Sequence, residues 1–121
     1  MAVAIVSDTC HYLTPDLVAR HAIHLVSLYV HWGDETQRES DITDYRAYYE
    51  RLRTSSDLPT TSQPSIGDFL AVYEPLLDAG SDIVSIHLAG GMSGTVSAAA
   101  QAREQLGERA DRVEIVDSAT A

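Results

Sequence analysis

Hydroxyl side chains beside glycines are the residues of this chain best suited to chemistry, and Gly90-Gly91-Met92-Ser93-Gly94-Thr95 concentrates them. The stretch follows an apolar run, Ile83 to Leu88, and precedes an Ala-rich run. An Ile/Val run is the pattern of a buried parallel strand, and alanine is the best helix former. The glycine turn is therefore placed at the carboxyl end of a strand and at the opening of a helix. The first N–H groups of such a helix lack partners, and its dipole adds positive potential. Glycine lets a ligand approach the backbone closely, while the Ser93 and Thr95 hydroxyls donate hydrogen bonds. An anion is the natural guest.

Other chemistries fit less well. A nucleophile elbow needs glycine two residues after the serine, where Thr95 stands, and no histidine follows His87. A hydrolase triad in elbow order is thereby excluded within this chain. All eight basic residues are Arg, so no Walker-type lysine exists, and the glycine spacing does not match a dinucleotide fingerprint. His21 and His24 straddle an expected helix end and His31 closes a strand, so no metal site is expected of them. His87 is read as a packed strand histidine near the anion site. Asp8 either orients Ser7, Thr9 or Ser93, or makes an Asx turn toward the next helix. Cys10 is the single cysteine and is read as a packing residue.

The elements that must position these groups follow from periodicity and capping. Ala2 to Ser7 reads as a strand ending on polar residues. Thr14 caps a helix with Pro15 at its first position, ending near His21. Ile23 to His31 reads as a second strand, and Trp32 to Asp41 as a surface loop or short hairpin. Ile42 to Thr54 reads as a helix capped by Thr43, with Tyr45, Tyr48, Tyr49 and Leu52 on one packing stripe. Ser55 to Pro64 is a loop. Ile66 to Ala79 is a helix capped by Ser65 or Ser62, with Pro75 kinking it or starting its final turn. Asp82 to Leu88 is a strand, Ser93 to Leu106 a helix, and Val113 to Val116 a strand. This alternation specifies an α/β fold, a three-layer sandwich with a mainly parallel sheet and helices on both faces.

Composition narrows the function classes. With 121 residues, 45% of them apolar, one domain spanning 1–121 is expected. A net charge of −10 repels phosphate backbones and argues against nucleic acid. The apolar runs are too short for a membrane span, and the N-terminus lacks the basic region of a signal peptide, so a soluble cytoplasmic protein is expected.

Ser7-Asp8-Thr9, Thr61-Ser62-Gln63-Pro64-Ser65, Gly80 with the Ile/Val strand after it, Met92-Ser93-Gly94-Thr95 and Val116-Asp117-Ser118 together resemble the DegV family in order and spacing. The resemblance covers the whole chain and corresponds to the amino-terminal domain of a two-domain α/β protein, the carboxyl-terminal domain being absent. It implies a bacterial fatty-acid-binding protein that is not itself an enzyme and needs no cofactor, the long-chain fatty acid being its ligand. The partner it implies is a separate ATP-binding fatty-acid kinase subunit that phosphorylates the bound carboxylate. Carried over residue by residue, Thr61 and Ser93 contact the carboxylate, with Ser62, Gly94 and Thr95 completing the site and Asp8, Ser7 and His87 behind it. Leu88-Ala89-Gly90-Gly91-Met92 departs from the family, which commonly has paired serines there.

The residues themselves accord with that role. Thr61 and Ser93 are both read as lying just before or at a helix start, where each offers a hydroxyl and free N–H groups to a carboxylate. Each lost CH₂ contact of an exposed acyl chain costs roughly 0.8 kcal/mol. Each hydroxyl contact to the charged group returns roughly 1.5 to 3 kcal/mol. Weak or no lipid binding is therefore expected of this chain alone. A small phosphate or carboxylate metabolite binder and a non-catalytic interaction domain stay open as alternatives, and self-association through an uncovered sheet face is expected.

Overall fold

Period-two alternation sets the centre of the fold. In β1 (Val3–Asp8) and β6 (Asp82–His87), parallel partners such as Val6 with Ser85 and Ser7 with Ile86 point the same way. Ala4, Val6 and Asp8 thus share a face with Ile83, Ser85 and His87. The computed structural model describes residues 2–121. It adds β2 (His24–Val26) and β7 (Val113–Asp117) at the edges, giving a four-stranded parallel sheet in the order β2-β1-β6-β7. Helices α3 (Ile66–Asp78) and α4 (Thr95–Gln105) pack together on one face. There Phe69, Tyr73, Leu77, Ala99 and Ala102 meet Val6, Val26, Ile83 and Val113 to form the core.

The crossovers from β1 to β2 and from β6 to β7 run to opposite edges of the sheet. Right-handed connections then place α1 (Pro15–Arg20) on the face opposite α4. The expected α/β architecture is found, with one face covered more fully than the other. Helix α1 is a six-residue helix without a buried residue, and Val3, Ile86 and Val116 remain 58%, 37% and 38% exposed.

The expected strand from Ile23 to His31 breaks in the middle. After β2, the Leu28 N–H bonds to Thr9 Oγ1, the Leu28 carbonyl accepts from Glu39 N, and Ser27 Oγ accepts from Ser40 N. With its backbone groups engaged from outside the sheet, the chain leaves for a second, antiparallel sheet in the order β4-β3-β5. Its strands are β3 (Tyr29–Trp32), β4 (Glu35–Arg38) and β5 (Thr60–Ser62). The short hairpin foreseen after Trp32 is β3–β4, turned at Gly33 with φ +60°.

Thr61 is therefore not at a helix start. It pairs with Val30 within β5, and α3 begins at Ile66 behind a capping box of Ser65 and Asp68. Helix α2 (Tyr45–Thr54) starts after Asp44, not Thr43, because the Asp44 carboxylate accepts from Ala47 N. Nor is its tyrosine stripe a core face, since α2 has no buried residue and Tyr45 and Tyr49 are 57% and 62% exposed. Helix α4 starts at Thr95 with Gly94 as its cap, two residues later than expected, because the Ser93 hydroxyl turns back onto Thr95.

Candidate functional site

The two hydroxyl motifs meet at a glycine. A Cβ on Gly94 would lie 3.1 Å from the Gln63 side-chain amide, so the bare backbone lets Gln63 rest on the turn. This contact sets Thr61-Ser62-Gln63 beside Ser93-Gly94-Thr95. Gly94 gives α4 no side-chain cap, which leaves the start of an eleven-residue helix suited to an anion. Ser93 is half-buried, accepts from Thr95 N at 3.2 Å, and stands 2.8 Å from Thr95 Oγ1. Thr95 itself is fully buried, so its hydroxyl orients Ser93 from behind. Thr61 is exposed. Ser62 points to the opposite side of β5, where its Oγ lies 2.8 Å from His31 Nε2, and His31 Nδ1 reaches Thr36 Oγ1 at 3.0 Å.

Residues behind the turn hold it from two directions. Asp117 Oδ2 accepts from Gly90 N at 3.1 Å, and a Cβ on Gly90 would approach that oxygen to 2.9 Å. Ala89 N donates to the Thr120 carbonyl at 2.8 Å. On the other side, Asp8 Oδ2 accepts from Leu88 N at 3.2 Å and from His87 Nδ1 at 2.9 Å, while Asp8 Oδ1 accepts from Cys10 N. Asp8 thus makes the Asx turn and, in addition, fixes His87 and the start of the loop. Ser7 Oγ donates to the Ile86 carbonyl at 2.9 Å.

Sequence reading did not foresee that His87 belongs to a buried polar chain. Tyr73 Oη donates to Ser85 Oγ at 2.6 Å, Ser85 Oγ meets His87 Nε2, and His87 Nδ1 meets Asp8. Every donor is satisfied when a neutral His87 accepts from Ser85 and donates to an ionised Asp8. The signal available was Ser85 and His87 two apart on one strand, hence on one face; Asp8 lies 79 residues away. The order Asp8–His87–Ser85 has the form of an acyl-transfer triad, but all three are at most 2% exposed and the Phe69 ring packs edge-on to His87 at 5.1 Å. No substrate reaches Ser85. Burial works to raise the Asp8 carboxyl, but hydrogen bonds from His87, Cys10 and Leu88 outweigh it and hold it below its ordinary range. Burial pushes the Tyr73 phenol up to about 12.

A cavity of about 490 Å³ opens on the thinly covered face of the parallel sheet, at the carboxyl ends of β1 and β6. Ile5, Ile23, Ile86 and Leu88 give it an apolar wall, and Tyr12 and Thr120 border it. Leu88 lines this cavity and begins the loop that ends at Ser93. Among the described residues no group of His, Cys, Asp and Glu is arranged to hold a metal ion, and no helix is long and apolar enough to cross a membrane.

Comparison with known proteins accords with this fold. A family model for uncharacterised proteins of the DegV family matches residues 2–121. Protein DegV of Bacillus subtilis is 41% identical over 102 residues, covering 84% of this chain and 36% of that protein. A DegV domain-containing protein of Deinococcus radiodurans is 33% identical over 120 residues, covering 99% of this chain and 42% of its own. A Thermus thermophilus DegV family protein, described for its fatty-acid binding, superposes with a TM-score of 0.87 at 33% identity over 100% of this chain and 42% of its own. DegV of Bacillus subtilis, described as a fatty acid binding protein, superposes with a TM-score of 0.80 at 38% identity, over 95% of this chain and 39% of its own. The chain spans about two fifths of the length of these relatives. Matched along its length in sequence and in backbone, the chain belongs to the DegV family.

Proposed function

We propose that this chain supplies the amino-terminal part of a fatty-acid site. The Thr61 and Ser93 hydroxyls and the uncapped start of α4 hold the carboxylate, and the acyl chain lies along the apolar wall of Ile5, Ile86 and Leu88. The observation that carries this reading is the seating of Gln63 on Gly94, which sets one hydroxyl motif beside the other at a helix start. The fatty-acid binding described for relatives of 33% and 38% identity supports it. The apolar wall favours an acyl chain over a ribose or sugar. Neutral hydroxyls suit a head group that must later react or depart. Phosphorylation of the held carboxylate is the work of a separate ATP-binding subunit in this reading.

Decanoate titrated into the isotopically labelled chain tests this by amide chemical shifts. Shifts should concentrate at Thr61, Ser93, Gly94 and Ile86, with a dissociation constant weaker than about micromolar. The double variant T61V/S93A should lose them while keeping its fold. Shifts confined to other regions would overturn the reading. A response to inorganic phosphate at Ser93, with Ile86 silent under decanoate, would favour the small-metabolite alternative.

A further inference from the structure

Helix α2 carries an aromatic face that packing consumes only in part: Tyr48 lies edge-on to Trp32 and Tyr49, while Tyr45 and Tyr49 stay exposed. Tyr45, Tyr48 and Tyr49 line one cavity of about 270 Å³ together with Tyr12 from the turn after β1. Tyr12 is 85% exposed and sits at φ 54°, a left-handed conformation uncommon for a bulky residue. Glu39 lines the same cavity and a neighbouring one of about 280 Å³. Its Oε1 is buried and has no hydrogen-bond partner among the described residues. A buried carboxylate oxygen without a donor is unfavourable unless a cation or donor completes it.

The same helix contains a completed version of this pairing. The Arg51 guanidinium lies 4.2 Å from the centre of the Trp32 ring and 2.9 Å from Glu35, so one cation is shared between an aromatic face and a carboxylate. At Glu39 tyrosine rings and the carboxylate line one cavity, whereas the nearby Arg38 is turned toward Tyr29 and Asp68. Tyrosine rings attract a cation through their electron-rich faces, and several rings around one carboxylate select an organic ammonium over a hydrated metal ion.

We infer that the cavity between Tyr12 and α2 binds a small organic ammonium ion, its methyl groups against the tyrosine rings and its charge on Glu39. The two cavities share Tyr12 at their border, but this assignment does not depend on the fatty-acid reading. Tetramethylammonium chloride, titrated against sodium chloride at constant ionic strength, is the probe, followed by the ring signals of Tyr45 and Tyr49. Saturable shifts with a dissociation constant of about millimolar are expected. E39Q and Y49A should each weaken binding about five- to tenfold without loss of fold, and the neutral isostere tert-butanol should bind about tenfold more weakly. Absence of saturation below about 50 mM, equal binding of tert-butanol, or an unchanged constant in E39Q would overturn the assignment.

Discussion

Alternate residues of the same two strands build two faces that differ in an unexpected sense. On the helix-covered face stand Asp8, Ser85 and His87 beside Val6 and Ile83, none more than 2% exposed. On the other face stand Ile5, Val84 and Ile86, with Ile86 37% exposed. The titratable Asp8 and His87 are sealed, while the aliphatic Ile86 on the opposite face is open. A buried polar chain persists because every member is satisfied, and it fixes the turn through Leu88 N. An exposed apolar surface contributes little to stability and is available to a ligand. In β1 and β6, then, the buried titratable residues brace the scaffold, and aliphatic side chains of the opposite face supply the cavity's apolar wall.

The largest expected effect lies on the sealed face. Asp8→Ala removes the acceptor for three donors and should destabilise the chain by about 3 to 5 kcal/mol in urea denaturation. Acid offers a second route to the same loss. The folded Asp8 carboxyl is held below its ordinary value of 3.8, so its stabilisation is full above that value and disappears as pH falls through the folded value. Asp8→Asn should flatten the acid limb of the stability–pH curve, and an unchanged limb would detach Asp8 from it. Tyr73→Phe deletes the outer link to Ser85 and should cost about 1 kcal/mol. Ile86→Ala, on the open face, should cost less than Asp8→Ala, at about 1 kcal/mol or below, while reducing decanoate binding. Equal losses at Asp8 and Ile86 would erase the distinction between the faces.

The elements most legible in the sequence were those whose cues are local. Thr14 caps α1, Ser65 rather than Ser62 of the two serines offered caps α3, and the Ile/Val run of β6 is central in the sheet. The antiparallel sheet was legible only as a hairpin alternative after Trp32: Glu35–Arg38 is wholly exposed, and Thr60–Ser62, read as loop, is short and polar, so neither alternates. The break after Val26 depends on Thr9, Glu39 and Ser40, partners that no window of sequence around Ser27 contains. At the site, Ser93 and Gly94 stood out through the glycine turn. Gln63, Ser85 and Tyr73 did not, because their roles arise only when distant segments are brought together.

Gly94→Ala separates site from scaffold most finely. Gly94 has φ −78°, which alanine adopts freely, and the atoms its Cβ would meet belong to the flexible Gln63 side chain. The stability change should therefore stay below about 1 kcal/mol, mostly the poorer capping of alanine. Yet the Gln63 side chain must give by a few tenths of an ångström, loosening its seat on the Ser93 turn. Decanoate should then perturb Ser93 without Thr61, and affinity should fall. If both amides still respond together, the Gln63–Gly94 contact does not couple the two motifs, and Thr61 and Ser93 act as independent hydroxyls.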